Sequence, residues 1–246
     1  MKLQKYFAVM AAITLFLTSC KEDKKENPPT NTKAELAFHF DHKMGISDFD
    51  LNKDFVLGTG ETVNLNFAKF YISGITLLDD LGNETPIDKY ILVDHHTHHV
   101  EIGKFDPQHV HMVRFNIGVD SAANHLDPLT YEASHPLAPK SPTMHWAWAS
   151  GYIFSKFEGT VDVNSDGAVD DTLVYHIGLD MMLRNVTGKQ HVDIEAGEEL
   201  TVDIEIDYAK IFDGLDLTTE VSTRSFNDPV LAEKVANNFQ NAVAIK

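Results

Sequence analysis

Two kinds of side chain in this sequence have the type and spacing of metal ligands. The first is the run Asp162-Val-Asn164-Ser-Asp166-Gly167-Ala168-Val169-Asp170-Asp171. Oxygen-bearing side chains at every second position can curl around a hard cation, and glycine at the sixth position permits the tight turn. Ala168 would offer its carbonyl, and Asp170 would close the site directly or through a water. An EF-hand would place a bidentate glutamate at the twelfth position, where this chain has Leu173, and it would need helices where strand-like sequence flanks the loop. The expectation is a structural calcium loop within a β-hairpin; the competing reading is a solvated acidic turn without an ion.

The second kind is imidazole. Of thirteen histidines, His111, His135, His145 and His176 lie in the segment 110–178 together with Met144, and His39 and His42 form a pair near the first strand. Neutral imidazole and thioether groups suit copper. For His111 and His176, each inside a strand pattern, a core histidine satisfied by its neighbours fits as well as a ligand. If 144–149 is extended, Trp146 and Trp148 share one face and His145 lies on the other. Packing against an opposing sheet is the competing role for the two tryptophans. In His95-His96-Thr97-His98-His99, alternation would put 96 and 98 on one face and 95, 97 and 99 on the other, a chelating spacing that an exposed polar loop matches equally.

These groups belong to an exported chain. Lys2 and Lys5 precede an apolar run over 6–17 that is too short for a permanent span, and Leu17-Thr18-Ser19-Cys20 has the form of a lipobox. Residues 1–19 therefore read as a signal peptide, with Cys20 taking the lipid. Cys20 is the only cysteine, so no disulfide is expected. Residues 20–32 are polar, charged and proline-containing, which describes a disordered tether. The Lys21-Glu22-Asp23 step after the cysteine resembles the surface-export signal of Bacteroidetes lipoproteins; a generic solvated linker is the alternative. The whole chain carries a formal charge of -17, and loss of Lys2 and Lys5 leaves 18 basic against 37 acidic side chains. That balance repels nucleic acid and attracts cations. The expected location is the outer membrane, facing the periplasm or the cell surface.

Residues 33–246 read as a single domain. Alternation of period two runs through Leu36, Phe38 and Phe40; through Val63, Leu65 and Phe67, with a longer apolar strand over 69–78; through His111, Val113, Phe115, Ile117 and Val119; through Leu173, Tyr175, Ile177 and Leu179; and through Leu200, Val202, Ile204 and Ile206. Turn signals stand at Leu81-Gly82-Asn83, Thr187-Gly188 and Glu195-Ala196-Gly197-Glu198. One helix is marked by Asp228 as N-cap, Pro229 at its first position and a face of Leu231, Val235 and Phe239. The fold class is all-β: an antiparallel sandwich or barrel-like sheet with long loops and one short C-terminal helix.

Read in order, Phe115-Asn-Ile-Gly118-Val-Asp120, His135-Pro-Leu137, Met144-His-Trp146-Ala-Trp148-Ala-Ser150-Gly-Tyr152, Lys156-Phe-Glu158-Gly and His176-Ile-Gly178 resemble the MbnP-like proteins, the copper-associated partners of methanobactin loci. The resemblance spans about 34–208, and its most specific part is the W-x-W-x-S-G-Y block. It implies an exported β-rich domain that binds copper. It also implies oxidation of a tryptophan, here Trp146 or Trp148, to kynurenine by a dihaem partner of the cytochrome-c-peroxidase type. His135, His145 and His176 are the first copper candidates, with His39 and His111 after them.

The sequence lacks G-x-S-x-G, H-E-x-x-H and a second cysteine, so it is read as a binding protein, not an enzyme. Two other readings stay open at this point. One is a glycan- or protein-binding surface lipoprotein using the two tryptophans as a platform. The other is a metal-dependent enzyme of cupin-like type.

Overall fold

The computed structural model describes residues 32–146 and 151–246; Cys20, the tether and Trp148 lie outside the described residues. Among the described residues fourteen strands carry the architecture. In chain order they are β1 (Ala34–Met44), β2 (Ser47–Asp48), β3 (Asp54–Val56), β4 (Thr62–Leu78), β5 (Glu84–Ile87), β6 (Ile91–Asp94), β7 (His99–Phe105), β8 (Gln108–Ile117), β9 (Ile153–Asp162), β10 (Asp171–Gly178), β11 (Arg184–Ile194), β12 (Glu199–Asp207), β13 (Ser222–Arg224) and β14 (Val243–Ile245). One sheet runs β14-β12-β1-β2 with β7 beside β1. The other runs β11-β8-β4-β9-β10-β13 and adds β3, β5 and β6 along β4.

The expected sandwich is present, because each sheet turns one row of apolar side chains inward. Leu36, Phe38 and Phe40 of β1 and Leu200, Val202, Ile204 and Ile206 of β12 are buried. The Phe38 ring meets Phe115 of β8 across the layer at 5.7 Å. Burying a side chain of this kind stabilises by roughly 1.5–3 kcal/mol. Two ladders are parallel, β1 with β12 and β10 with β13, within an otherwise antiparallel fold. After the short helix α1 (Ser121–Asn124), the helix α2 (Pro229–Ala242) starts as its sequence indicates, with the Asp228 carboxylate accepting the Leu231 amide. Leu231, Val235 and Phe239 seal the core.

Strict alternation fails where a ladder carries an irregularity. Between Leu65 and Phe67 the pairing of β4 with β9 slips, so Phe67 leaves the core row while Ala68 and Phe70 enter it. Phe67 instead lies under the buried ammonium of Lys156, 4.6 Å from its ring centre. On β8 both Val110 and Val113 are buried, so the inward row changes phase between them. His111 is left half-buried and away from the core row. Thr187-Gly188 is no turn. It lies inside β11, and glycine is required there because a Cβ would stand 2.3 Å from Ile245 of β14. His95–His98 forms the turn between β6 and β7, so the facing pattern of a strand does not apply to it.

Candidate metal centre

The segment before β9 folds back on itself. Trp146 N–H donates to the Gly151 carbonyl at 3.1 Å, Ile153 N–H donates to the Met144 carbonyl at 2.9 Å, and His145 bridges Tyr152. The fold-back is anchored from inside. Met144 and Tyr152 are buried, and the Tyr152 hydroxyl donates to the Leu137 carbonyl of the His-Pro-Leu motif at 2.7 Å. The Tyr152 amide donates to Asn124 Oδ1 at 2.7 Å. Packing thus aims Trp146 across β10, where a Cβ on Gly178 would stand 2.3 Å from its ring. Phe226 also meets the ring edge-on, at 4.6 Å.

A cavity of about 590 Å³ opens beside this ring, and His145, Trp146, Lys156, His176 and Arg224 line it. His176 and Lys156 are neighbours because β10 pairs with β9 in that register. His176 Nε2 lies 2.7 Å from Glu158 Oε1, and Lys156 Nζ lies 3.2 Å from the same oxygen. An ionised carboxylate only accepts, so Nε2 carries the proton and Nδ1 keeps the lone pair. Burial holds the pKa of His176 below the ordinary histidine value despite the hydrogen bond to Glu158. Burial also raises the Glu158 carboxyl, yet the His176 and Lys156 partners carry it below its usual value. His145 is likewise lowered by burial, against a hydrogen bond to the Trp146 backbone. The cavity therefore offers two imidazoles biased to the neutral form that binds metal, one of them oriented by a carboxylate. Trp146 Nε1 is buried and finds no acceptor among the described residues.

The sequence candidates fall in different places. His145 and His176 share this cavity. His135 lines a separate cavity of about 890 Å³, stacked on Tyr131 at 4.4 Å. Its Nδ1 accepts the Leu137 amide at 3.1 Å. His39 stands exposed on the outer side of β1 against Asp203 at 3.0 Å. His42 is buried, accepts from the Tyr208 hydroxyl at 3.1 Å and donates to the Thr97 carbonyl at 2.9 Å, so it does not pair with His39. His111 faces Asp80 at 2.8 Å, remote from the tryptophan block. Glu158, quoted in the K-x-E-G motif, gains a role as the partner of His176. Arg224 carried no signal, since only the β10–β13 ladder brings it opposite His176.

The acidic loop joins β9 and β10 as the expected hairpin connection. Asp162 Oδ1 accepts the amides of Asn164 and Asp166, and Oδ2 accepts Gly167 N–H at 2.7 Å. Asp166 accepts Ala168 N–H at 2.9 Å and Asp170 accepts Val163 N–H at 2.8 Å. The carboxylates at positions 162, 166 and 170 thus brace the turn through its own amides.

The MbnP family model matches residues 33–228. Among solved structures, the chain is similar to "MbnP from Methylosinus trichosporium", with a TM-score of 0.51 and 16% identity over 75% of this chain and 79% of that one. At that identity the likeness is one of fold. No curated protein matches.

Proposed function

Because the chain belongs to the MbnP family, we propose that it is a copper-binding protein of the cell envelope, held at the outer membrane by lipid on Cys20. The observation that carries this reading is the meeting of His145, Trp146 and His176 at one cavity, since all three belong to the segments on which the family resemblance rests. His145 and His176 would hold the ion through neutral ring nitrogens, with Glu158 keeping His176 in its tautomer. Copper held there would supply redox chemistry, and an indole is the side chain that the family resemblance links to a dihaem oxidising partner. Trp146 lines the cavity, whereas Trp148 lies outside the described residues; the tryptophan proposed for oxidation is one of these two. Its conversion to kynurenine would register as a mass change in protein purified from its native envelope. The role is that of a binder, not an enzyme.

The test is copper per folded protein for single alanine variants at His39, His111, His135, His145 and His176. His145→Ala and His176→Ala should lose copper at nearly constant fold, and the other three should retain it. Wild-type affinity in both cavity variants would sink the assignment. Calcium is proposed for the loop, through Asp162, Asn164, Asp166, the Ala168 carbonyl and Asp170. A ligand bound only to the folded state stabilises by about 2.7 kcal/mol at 100 times its Kd. Saturating calcium should therefore raise Tm in the wild type and not in an Asp162→Ala, Asp166→Ala double variant. An unchanged wild-type Tm removes calcium from the account.

A further inference from the structure

A second group of ligand-bearing side chains gathers at the far end of β4. His109 and His111 stand two residues apart on β8, so their side chains leave the same side of the strand. On β11, Lys189 pairs with Met112 but Val192 pairs with Val110, so Gln190 and His191 together oppose His111. This is a β-bulge, a device that re-aims a side chain. His191 has φ of 52°, in the left-handed region that non-glycine residues rarely adopt. Its ring meets that of His111 edge-on at 4.1 Å.

Asp80 completes the group from the turn after β4. Its neighbour Asp79 accepts the amides of Leu81 and Asn83, both at 2.8 Å, which fixes the turn and leaves Asp80 to point at β8. Asp80 Oδ1 lies 2.8 Å from His111 Nδ1, and Oδ2 lies 3.4 Å from His109 Nε2. Both ring nitrogens are out of contact with solvent, yet neither approach has the direction of a hydrogen bond. One ligand atom from each of Asp80, His109, His111 and His191 lies within 4.8 Å of the other three. Among the described residues no other set of three or more such groups converges in this way. Tetrahedral ligands at zinc distances are ~3.3 Å apart, so modest side-chain contraction would close the set. Behind it, His109 Nδ1–H donates to Asp193 Oδ1 at 2.7 Å, which turns the Nε2 lone pair toward the group. A carboxylate behind a ligating imidazole is the usual outer support of a metal site.

We propose that Asp80, His109, His111 and His191 form a second metal site, specific for a divalent first-row ion such as Zn²⁺ or Cu²⁺. Three imidazoles and one carboxylate, with no sulfur, match the divalent ions in preference to Cu(I). The site is distinct from the tryptophan cavity and does not depend on the copper reading. His111 lies at the end of β8 that pairs with Leu77 and Leu78 of β4, whereas Lys156 of the cavity pairs with Lys69 nearer the middle of that strand.

The experiment is Zn²⁺ titration of the chelator-stripped full chain, with folding checked by thermal melting. His191→Gly is the sharpest variant. It deletes an imidazole where φ favours glycine, so the fold should keep or gain stability while Zn²⁺ affinity falls at least tenfold. His111→Gln should lose the ion as well, and His145→Ala should bind it like the wild type. Zn²⁺ binding of undiminished affinity in folded His191→Gly overturns the proposal, as does a folded wild type that takes up no Zn²⁺ at micromolar concentration.

Discussion

The tryptophan cavity and the Asp80 group both set imidazoles beside carboxylates, but they are built in opposite ways. In the cavity a fold-back is wedged from the core by Met144 and Tyr152, and the supporting Glu158 also neutralises a buried lysine. The Asp80 group is assembled on a sheet surface from a turn, a strand and a bulge, with half-buried histidines and exposed Asp80 and His191. The first depends on packing and should collapse when packing is disturbed. The second depends on ladder register and should survive loss of a ligand.

The largest effect expected from this contrast comes from Gly178→Val. The added carbons would enter the space of the Trp146 ring, and overpacking of that kind costs up to ~3 kcal/mol. Tm should fall markedly and copper binding should go with it, while Zn²⁺ titration of the folded fraction stays at wild-type affinity. Loss of both metals together would mean that the two regions are not independent.

Next in size is Asp193→Asn, which keeps the shape and removes the charge behind His109. Affinity for Zn²⁺ should drop on the order of 10- to 100-fold with Tm and copper binding unchanged. A variant that titrates like the wild type would show that Asp193 gives no support to the ligand.

The smallest effect separates burial from metal binding. His42 belongs to neither site, and its pKa is lowered from 6.5, chiefly by burial. Its folded form resists the proton that the unfolded chain accepts near 6.5, so stability present above that value falls as the pH drops through it. In chelator-treated protein His42→Phe, which keeps an aromatic ring against Tyr208, should flatten the fall in denaturant midpoint between pH 7.5 and the folded-state pKa. An unaltered slope would assign the acid sensitivity to other groups.

Much of the fold was legible because burial on one side of a sheet writes itself as alternation. Leu200, Val202, Ile204 and Ile206 form an uninterrupted buried row, and Asp228-Pro229 marks the start of α2. The departures from alternation share one cause. Phe67, His111 and His191 sit at or beside ladder irregularities, and a bulge shifts facing without leaving a fixed mark in residue type. The tryptophan block was legible through family resemblance, and Glu158 through its motif. Asp80 and His191 were not, because they come from separate hairpins and meet only through register. The His109-x-His111 spacing was the one local sign of that site.

The parallel ladder between β1 and β12 joins Glu35 with Glu199 through to Lys43 with Asp207. A chain emerging in order from its N-terminus must therefore hold its first strand open until nearly the whole sequence has followed. Pairings so distant along the chain close slowly. Any fragment that stops short of residue 199 would leave β1 paired with β7 on one side only, its other edge exposed and open to aggregation. Folding of this domain is accordingly an event of the nearly complete chain, and the proposed export in an extended state would cost it no structure already made.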